Sequence, residues 1–500
     1  MAAVRILLDD SVLLSAEDNM NPCLRSDSET LLRWLRYSNL RVAFYHQEDI
    51  STQKAILLKK TAEVYSFDCI SRHASHGTGS CNELLEWAKT GEICLHVTSR
   101  IDEMLSLNLQ NDNWKIIFVG TDNGDEVDKE ILFINKLEEL LITICRFIKK
   151  EVCDTSVLMV GYVMKPSREE DFAKRGAFPA SPTQNGLMFV PLTFKLPLSS
   201  QLEEVDVVLH KVTDEIICID PNCSADFPKG ISFSMGMCEL VRFIEEHHDF
   251  CVIDSLNNIY PLLDRLQIQK ILLGLQDVSF KGRCRLRAPC SLKVDNFHDP
   301  NLSKQLSEAN LSFPIIVKPQ VACGVADAHN MALVFKFEDF SKLSVPLPAV
   351  LQEYVDHGST IFKFYVLGEK VFHAVRKSMP NANFLLSMTE IAGSAPISFN
   401  SLKTLPVATD DQLLIGHAQA DKQPLDIDLV QDAAHCLQKR LGLTIFGFDV
   451  VIQEGSGDHV IVDLNYLPSF KEVPDSDAMP AFWDAIRRAY ELFKLSGRQR

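Results

Sequence analysis

The sequence predicts a mixed α/β protein in which an N-terminal α/β module precedes a larger α/β core, and three observations carry that prediction. Short apolar runs alternate with helix-like segments over residues 1–150, and the alternation begins again at Val157-Leu158-Met159-Val160-Gly161-Tyr162, after the polar stretch Lys149-Lys150-Glu151. From Phe313 onward the texture changes to closely spaced strands and short turns. At 500 residues the chain exceeds the roughly 250–300 residues over which one hydrophobic core keeps growing, so two to four lobes are expected.

In residues 1–150 the apolar runs are Val4–Leu8, Arg41–Phe44, Ile93–Val97 and Trp114–Val119, and the helical segments are Glu29–Tyr37 and Leu137–Lys150. Strand and helix in turn are the rhythm of a parallel α/β unit. The opening Leu7-Leu8-Asp9-Asp10-Ser11-Val12 runs from strand into an acidic turn and resembles the first motif of haloacid-dehalogenase-like phosphatases. Those enzymes place a second Asp two positions after the nucleophile. Here Ser11 stands at that spacing from Asp9 and Val12 from Asp10, so the module reads as a degenerate, non-catalytic member of that class.

The second α/β lobe comprises strand Val205–His210, helix Ser234–His248, strand Phe250–Asp254 and the helical Ile259–Leu273. Beyond Phe313 the expected strands are Pro314–Val317, Met331–Val334, Ala349–Tyr354, Ile361–Leu367 and Lys370–Val375. Helix Asp426–Leu441 then leads into strands Thr444–Gln453 and His459–Leu464. No internal repeat or low-complexity tract is present, and Gly393–Leu405 and the Arg500 tail read as the most mobile pieces. The expected division is 1–152, 153–275, 276–400 and 401–500.

Hydrophobic residues make up 46% of the chain and charged residues 23%, which suits several buried cores and excludes a disordered composition. The formal charge, 50 − 67 = −17, argues against coating nucleic acid or an anionic membrane by bulk attraction, so an anionic ligand needs a local basic pocket. Fourteen cysteines without a Cys-x-x-Cys pair read as free thiols. Val4–Leu8 is cut short by Asp9-Asp10, so no secretory signal is read there, and no apolar run approaches the roughly 18 residues of a membrane span. A monomer is expected in the cytoplasm, with a nuclear pool allowed, without nucleic acid or membrane as partner.

Chemistry concentrates in the C-terminal half. Phe446-Gly447-Phe448-Asp449 ends one apolar run and Val460-Ile461-Val462-Asp463-Leu464-Asn465 ends another, with the hairpin-like Glu454–Asp458 between them. In an antiparallel pair, alternation places Asp449, Asp463 and Asn465 on one face. Two carboxylates and an amide oxygen suit Mg²⁺, a hard cation that takes oxygen ligands; the alternative is a pair of strand-terminal turn acids. Lys318 lies inside the apolar strand Phe313–Pro319, ahead of Gly324 and His329. A lysine so placed either faces an anion or snorkels at a sheet edge, because unpaired burial of a charge is costly. Val350-Leu351-Gln352-Glu353-Tyr354-Val355 is an apolar strand with two polar residues at its middle, of the kind that reads a nucleotide base through its backbone.

Taken in order, Lys318-Pro319, Gly324, His329, Gln352-Glu353-Tyr354-Val355-Asp356-His357, Lys363, Arg376-Lys377-Ser378, Phe446-Gly447-Phe448-Asp449 and Asp463-Leu464-Asn465 form a set. It resembles the inositol tetrakisphosphate 1-kinase / inositol 1,3,4-trisphosphate 5/6-kinase family. The resemblance continues upstream through Val160-Gly161-Tyr162, His210-Lys211-Val212-Thr213-Asp214 and Pro261-Leu262-Leu263-Asp264-Arg265. It covers Val157 to Leu492, roughly two-thirds of the chain, and residues 1–150 match the N-terminal extension of long plant-type members.

The resemblance implies an ATP-grasp kinase core, with ATP as co-substrate, two Mg²⁺ ions as cofactor and a soluble inositol tris- or tetrakisphosphate as acceptor. By position, Arg265 and Lys318 are the phosphate-contacting bases. Gln352, Glu353 and Val355 form the adenine hinge, and Ser378 and Ser401 are further nucleotide contacts. Asp449, Asp463 and Asn465 match the metal ligands. The inositol phosphate side takes Lys211, His329, Lys363, Arg376 and Asn465, with Lys165 or Arg168 in the place of a phosphate-gripping lysine near the first strand. Lys363 and His329 are the catalytic candidates, near the transferred phosphoryl and the attacking hydroxyl, in a reaction that needs positioning and cations more than covalent help. His210 reads as structural, and residues 1–152 are available to a protein partner.

Two positions depart from the family. Ser469, in Asn465-Tyr466-Leu467-Pro468-Ser469-Phe470, stands where glycine is common and where the backbone approaches a substrate phosphate. Cys323 takes a place usually held by a polar residue. The competing readings are a different ATP-grasp enzyme of the carboxylate–amine ligase type and a catalytically weak inositol phosphate or nucleotide scaffold.

Overall fold

The computed structural model describes residues 4–15, 21–47, 49–72, 84, 86–88, 92–100, 113–120, 131–151, 156–220, 227–275, 285–392, 396–409 and 424–497. The chain divides into two compact units, one of Met1–Leu209 with Phe243–Cys251 and one of His210–Arg242 with Val252–Arg500.

The first unit is built on a six-stranded parallel sheet of β1 (Val4–Asp9), β2 (Arg41–Gln47), β3 (Asp68–Arg72), β4 (Ile93–Thr98), β5 (Trp114–Val119) and β6 (Ile131–Ile134), in the order β3-β2-β1-β4-β5-β6. All six residues of β1 are buried, as expected of a parallel strand covered on both faces. Leu7, Ala43, Tyr45, Ile70, Trp87 and Trp114 lie in one of its cores. Helices Ser28–Tyr37 and Leu140–Glu151 fall where periodicity places them, the second preceded by a 3-10 turn at Leu137–Glu139. A four-stranded sheet follows, of β7 (Leu158–Val163), β8 (Leu187–Pro191), β9 (Val207–His210) and β12 (Cys251–Ile253), in the order β12-β9-β7-β8; the chain passes between the units in β9, in helix Met235–Glu246 and in β12. Between these two strands lies the antiparallel ribbon of β10 (Ile216–Ile219) and β11 (Ile231–Phe233).

The second unit carries two five-stranded sheets that interleave in sequence. One has the order β14-β17-β15-β16-β20: β14 (Ser291–Val294), β15 (Ile315–Pro319), β16 (Asn330–Val334), β17 (Ala349–Glu353) and β20 (Ile397–Asn400). The other has the order β13-β22-β21-β18-β19: β13 (Leu286–Arg287), β18 (Thr360–Leu367), β19 (Lys370–Lys377), β21 (Ile445–Ile452) and β22 (His459–Tyr466). Alternation along β15 sorts the first sheet. Ile315 and Val317 pack with Ala332, Val334 and Leu351 on one face, and Ile316 packs with Leu333, Tyr354 and Phe399 on the other.

The segment Ile259–Leu273 is not one helix. Leu256–Ile259, a 3-10 turn at Tyr260–Leu263 and helix Arg265–Leu273 follow one another. Pro261 withholds an N–H, and the Asp264 side chain accepts from Leu266 N at 2.8 Å, starting a new helix at Arg265. Helix Ile427–Leu441 is capped by Asp426, which accepts from Leu429 N at 3.0 Å, and ends at Gly442 with φ +64°. Residues 393–395 of Gly393–Leu405, and Arg500, lie outside the described residues. The ten described cysteines are free thiols, and no helix among the described residues is long and apolar enough to cross a membrane.

Candidate active site

The site is organised by β18, β21 and β22. Antiparallel register sets Lys363 opposite Asp449 and Asp449 opposite Asp463, and Asn465 lies two residues further along β22. These side chains therefore share one face, and the ladder shift just after Asp449 leaves that alignment in place. Lys363 Nζ lies 3.1 Å from Asp449 Oδ2, and Asn465 Nδ2 donates to Asp463 Oδ2 at 3.0 Å. Burial, together with the negative charge of Asp463, pushes the Asp449 carboxyl up to about 6 in spite of Lys363. A facing pair of carboxylates plus an amide oxygen is an all-oxygen donor set, and a divalent cation would relieve the electrostatic cost of that arrangement. The residues present therefore fit Mg²⁺. Gly447, opposite Asn465, allows the close approach: a Cβ there would lie 3.0 Å from the Phe364 carbonyl oxygen and 3.1 Å from Pro468.

The neighbouring sheet supplies cations to the same electrostatic neighbourhood. Lys318 on β15 donates to Gln352 Oε1 at 2.9 Å. Burial lowers this lysine to about 8, and Arg265 pushes the same way, while Asp463 and Asp449 oppose them. His329, at the end of a 3-10 turn, bonds through Nδ1 to Ser401 Oγ at 3.1 Å; burial and then Arg265 hold it below its ordinary value. The Arg265 guanidinium donates to the carbonyls of Pro319 (2.6 Å), Val321 (2.7 Å), Ala322 (3.3 Å) and Ala328 (3.2 Å), so it braces the loop between Lys318 and His329. In that loop Gly324 has φ +91°, and an added Cβ would meet Ile216 Cδ1 at 2.7 Å.

At the strand edge, the Glu353 carboxylate is gripped by Arg287, and the Glu353 N–H donates to Cys290 O at 2.9 Å. The hinge N–H available for a base is accordingly not that of Glu353. Ser378 is buried, its N–H on Ser359 O at 2.7 Å and its carbonyl accepting from Ala408 N at 2.9 Å. Val355 packs with Val451 and Val460. Arg376 on β19 bonds to Glu472, which also accepts from Tyr365 Oη at 2.6 Å. Lys211 is buried against Tyr466, donating to its carbonyl with the ammonium 3.7 Å from the ring centre. Ser469 lies between Leu467 and Phe470, both at positive φ, and does not itself require the glycine conformation. His210 is fully buried, its Nε2 on Asp254 O at 2.9 Å, in keeping with the structural reading.

Lys165 and Arg168 belong to the first unit, at the start of helix Pro166–Ala173. The remaining candidates all belong to the second. Arg287, Glu472 and Tyr466 were not singled out in the sequence. Their partners are 66, 96 and 255 residues away, and no local pattern marks them.

Residues 1–150 match the family model described as ITPK4, N-terminal HAD-like domain, and residues 282–484 match the inositol 1,3,4-trisphosphate 5/6-kinase ATP-grasp domain. Inositol-tetrakisphosphate 1-kinase 6 of Oryza sativa subsp. indica is 61% identical over 500 residues, covering 98% of this chain and 90% of that protein. The chain belongs to the inositol-tetrakisphosphate 1-kinase family. Within that family, the inositol-tetrakisphosphate 1-kinase of Danio rerio is 28% identical over 298 residues, covering 58% of this chain and 69% of its own. The inositol-tetrakisphosphate 1-kinase 1 of Zea mays is 26% identical over 334 residues, 66% of this chain and 89% of its own. A D-alanine–D-alanine ligase from Bacillus anthracis solved with ATP aligns at 15% identity and a TM-score of 0.41, over 68% of this chain and 100% of that one. The expected fold class, an ATP-grasp core behind a haloacid-dehalogenase-like α/β module, is the one these family models describe. Family membership favours the kinase reading over the carboxylate–amine ligase.

Proposed function

We propose that this chain transfers the γ-phosphoryl group of ATP to a hydroxyl of a soluble inositol tris- or tetrakisphosphate. The observation that carries the reading is the Lys363–Asp449–Asp463 alignment across three adjacent strands, with Asn465 on the same face, in a chain 61% identical to an inositol-tetrakisphosphate 1-kinase. Asp449, Asp463 and Asn465 would hold Mg²⁺, two ions in this proposal. When bound, the metal supplies neutralisation of the nucleotide phosphates.

The chain's own residues do the rest. Lys318, fixed by Gln352, faces the phosphates. Arg265 contributes charge while its donors hold the loop. Glu353 and Val355 frame the adenine, and Ser378 and Ser401 line the nucleotide side. Lys363 and His329 face the transferred phosphoryl and the attacking hydroxyl. Lys211, Arg376, Asn465, Ser469 and either Lys165 or Arg168 receive the inositol phosphates. A chain of net negative charge captures a polyanion through local rather than net charge.

The proposed division is an extension at 1–152, an inositol phosphate lobe at 153–275, a central ATP-grasp lobe at 276–400 and a C-terminal ATP-grasp lobe with the metal ligands at 401–500. The extension serves a protein partner rather than catalysis, and the chain works as a cytoplasmic monomer with a nuclear pool. Arg376 and Lys211 already have internal partners, Glu472 and Tyr466, so a bound phosphate exchanges with those contacts in the kinase and in the scaffold alternative alike. Purified protein with Mg²⁺, ATP and an isomer-resolved panel of inositol tris- and tetrakisphosphates decides the matter. Product from any isomer supports the kinase; binding without product supports the scaffold.

A further inference from the structure

We infer that Arg287 is a positioning residue for nucleotide binding, acting through Glu353 without touching the nucleotide; the inference rests on the proposed kinase reading. Arg287 is carried by β13, which pairs with β22, so its guanidinium belongs to the sheet that holds Asp463. Glu353 is the last residue of β17 in the other sheet. Two parallel hydrogen bonds of 2.8 Å join them, Nη1 to Oε2 and Nη2 to Oε1, and Nη2 also donates to Gln453 Oε1 at 2.7 Å. Both side chains are about four-fifths buried, 19% and 21% exposed.

Two further bonds hold Glu353: Cys290 N donates to Oε2 at 2.9 Å, and the Glu353 N–H donates to Cys290 O at 2.9 Å. These bonds anchor the end of β17, from which the chain continues toward Val355, the segment assigned to the base edge. Two further bonds tie the continuation to the same turn, Glu454 N to Asp356 O at 2.9 Å and Asn381 Nδ2 to Glu454 Oε2 at 2.7 Å. A planar fork meeting both carboxylate oxygens sets orientation as well as distance, which a lysine ammonium does not do.

The test uses the full chain with Mg²⁺-ATP and the best inositol phosphate of the panel. Arg287→Ala and Glu353→Gln are each expected to raise the KM for ATP about tenfold, a coupling of ordinary size for a charged pair, and the double variant to be no worse than either. The KM for the inositol phosphate stays within about twofold. Gln453→Ala removes one bond of Arg287 but leaves Glu353 gripped, and keeps the KM for ATP within about twofold. Arg287→Lys restores less than half of the loss. Equal rises in both KM values, or a lowered Tm with an unchanged KM ratio, overturn the inference. If no isomer is phosphorylated, the kinase reading fails separately. ATP affinity by titration calorimetry then decides this point: a tenfold loss in Arg287→Ala supports it and an unchanged affinity overturns it.

Discussion

Two pairs of aspartates in this molecule, one where a strand ends and one facing each other within two paired strands, are treated in opposite ways. At the end of β1 in the N-terminal sheet, Asp9 is fully buried and accepts from Ser11 N at 2.8 Å. Asp10 is paired with Arg100 at 2.7 Å, and the same guanidinium lies 3.9 Å from Asp9. The negative charge there is answered from within the fold. On β21 and β22 the carboxylates of Asp449 and Asp463 are set against each other, and Lys363 offsets only part of the cost, since Asp449 stays raised to about 6. A structural acid pair is neutralised by its own chain. The C-terminal pair keeps an electrostatic cost, which under the proposed function a ligand would relieve.

The comparison breaks most sharply at Asp463. Asp463→Ala is expected to lower kcat by at least about a thousandfold, the scale for losing an electrostatic anchor of phosphoryl transfer. Product formation from the best inositol phosphate isomer measures this, with circular dichroism as the check on folding. Retention of activity within tenfold would put the C-terminal pair in the same structural class as Asp9 and Asp10.

A third buried carboxyl sharpens the contrast through pH. Burial raises Asp254 to about 6 even though Thr444 N and Ile445 N donate to it at 2.8 and 3.3 Å, and burial lowers His210 to about 4. Asp254 holds more protons folded than unfolded between about pH 4 and 6, so its stabilisation is lost as pH rises through that window. His210 holds fewer protons folded than unfolded between about pH 4 and 6.5, so its contribution is lost as pH falls. The two oppose each other at about 3 kcal/mol apiece. Relative to wild type, His210→Gln should make stability fall as pH rises from 4 to 6, and Asp254→Asn should make it rise. Urea unfolding at several pH values reads both slopes; parallel slopes would remove the opposition.

Arg100→Ala tests the N-terminal half of the comparison. Removing one member of a buried pair costs about 3–5 kcal/mol, and because the arginine side chain is 39% exposed the expected loss is nearer 2 kcal/mol. Thermal unfolding should show it while kcat and both KM values hold steady. A change in turnover without loss of stability would give the N-terminal acids a part in catalysis that their pairing with arginine does not provide.

The C-terminal face was legible because it is local and periodic. Two apolar strands around a tight turn fix the pairing, Gly455 and Gly457 supply the positive φ of that turn, and alternation does the rest. The braces around it were not legible. Arg265 spends its donors on four carbonyls up to 63 residues away, and Arg287 meets Glu353 across 66. A charged side chain in sequence carries no mark of whether its partner is a ligand or its own backbone. The same non-locality hid the interleaving that puts β18 and β19 in the sheet of β21 and β22 while β20 returns to the other sheet. The break in Ile259–Leu273 was legible in principle, since proline and a capping aspartate are local signals, and there hydrophobic periodicity outweighed them.

The smallest effect is expected at Ser469, the position read from the sequence as a departure from the family. The positive φ values of this turn fall on Leu467 and Phe470, so a glycine at 469 would release no backbone tension while removing the hydroxymethyl group of the serine. Ser469→Gly should therefore leave Tm, kcat and the KM for ATP unchanged and shift the KM for individual inositol phosphates by less than about tenfold, unequally among isomers. Competition between two isomers in one reaction measures that ratio directly. An equal shift for every isomer would mean that the serine side chain touches a phosphate common to them all. An unequal one would make Ser469 a residue by which this chain sorts its substrates.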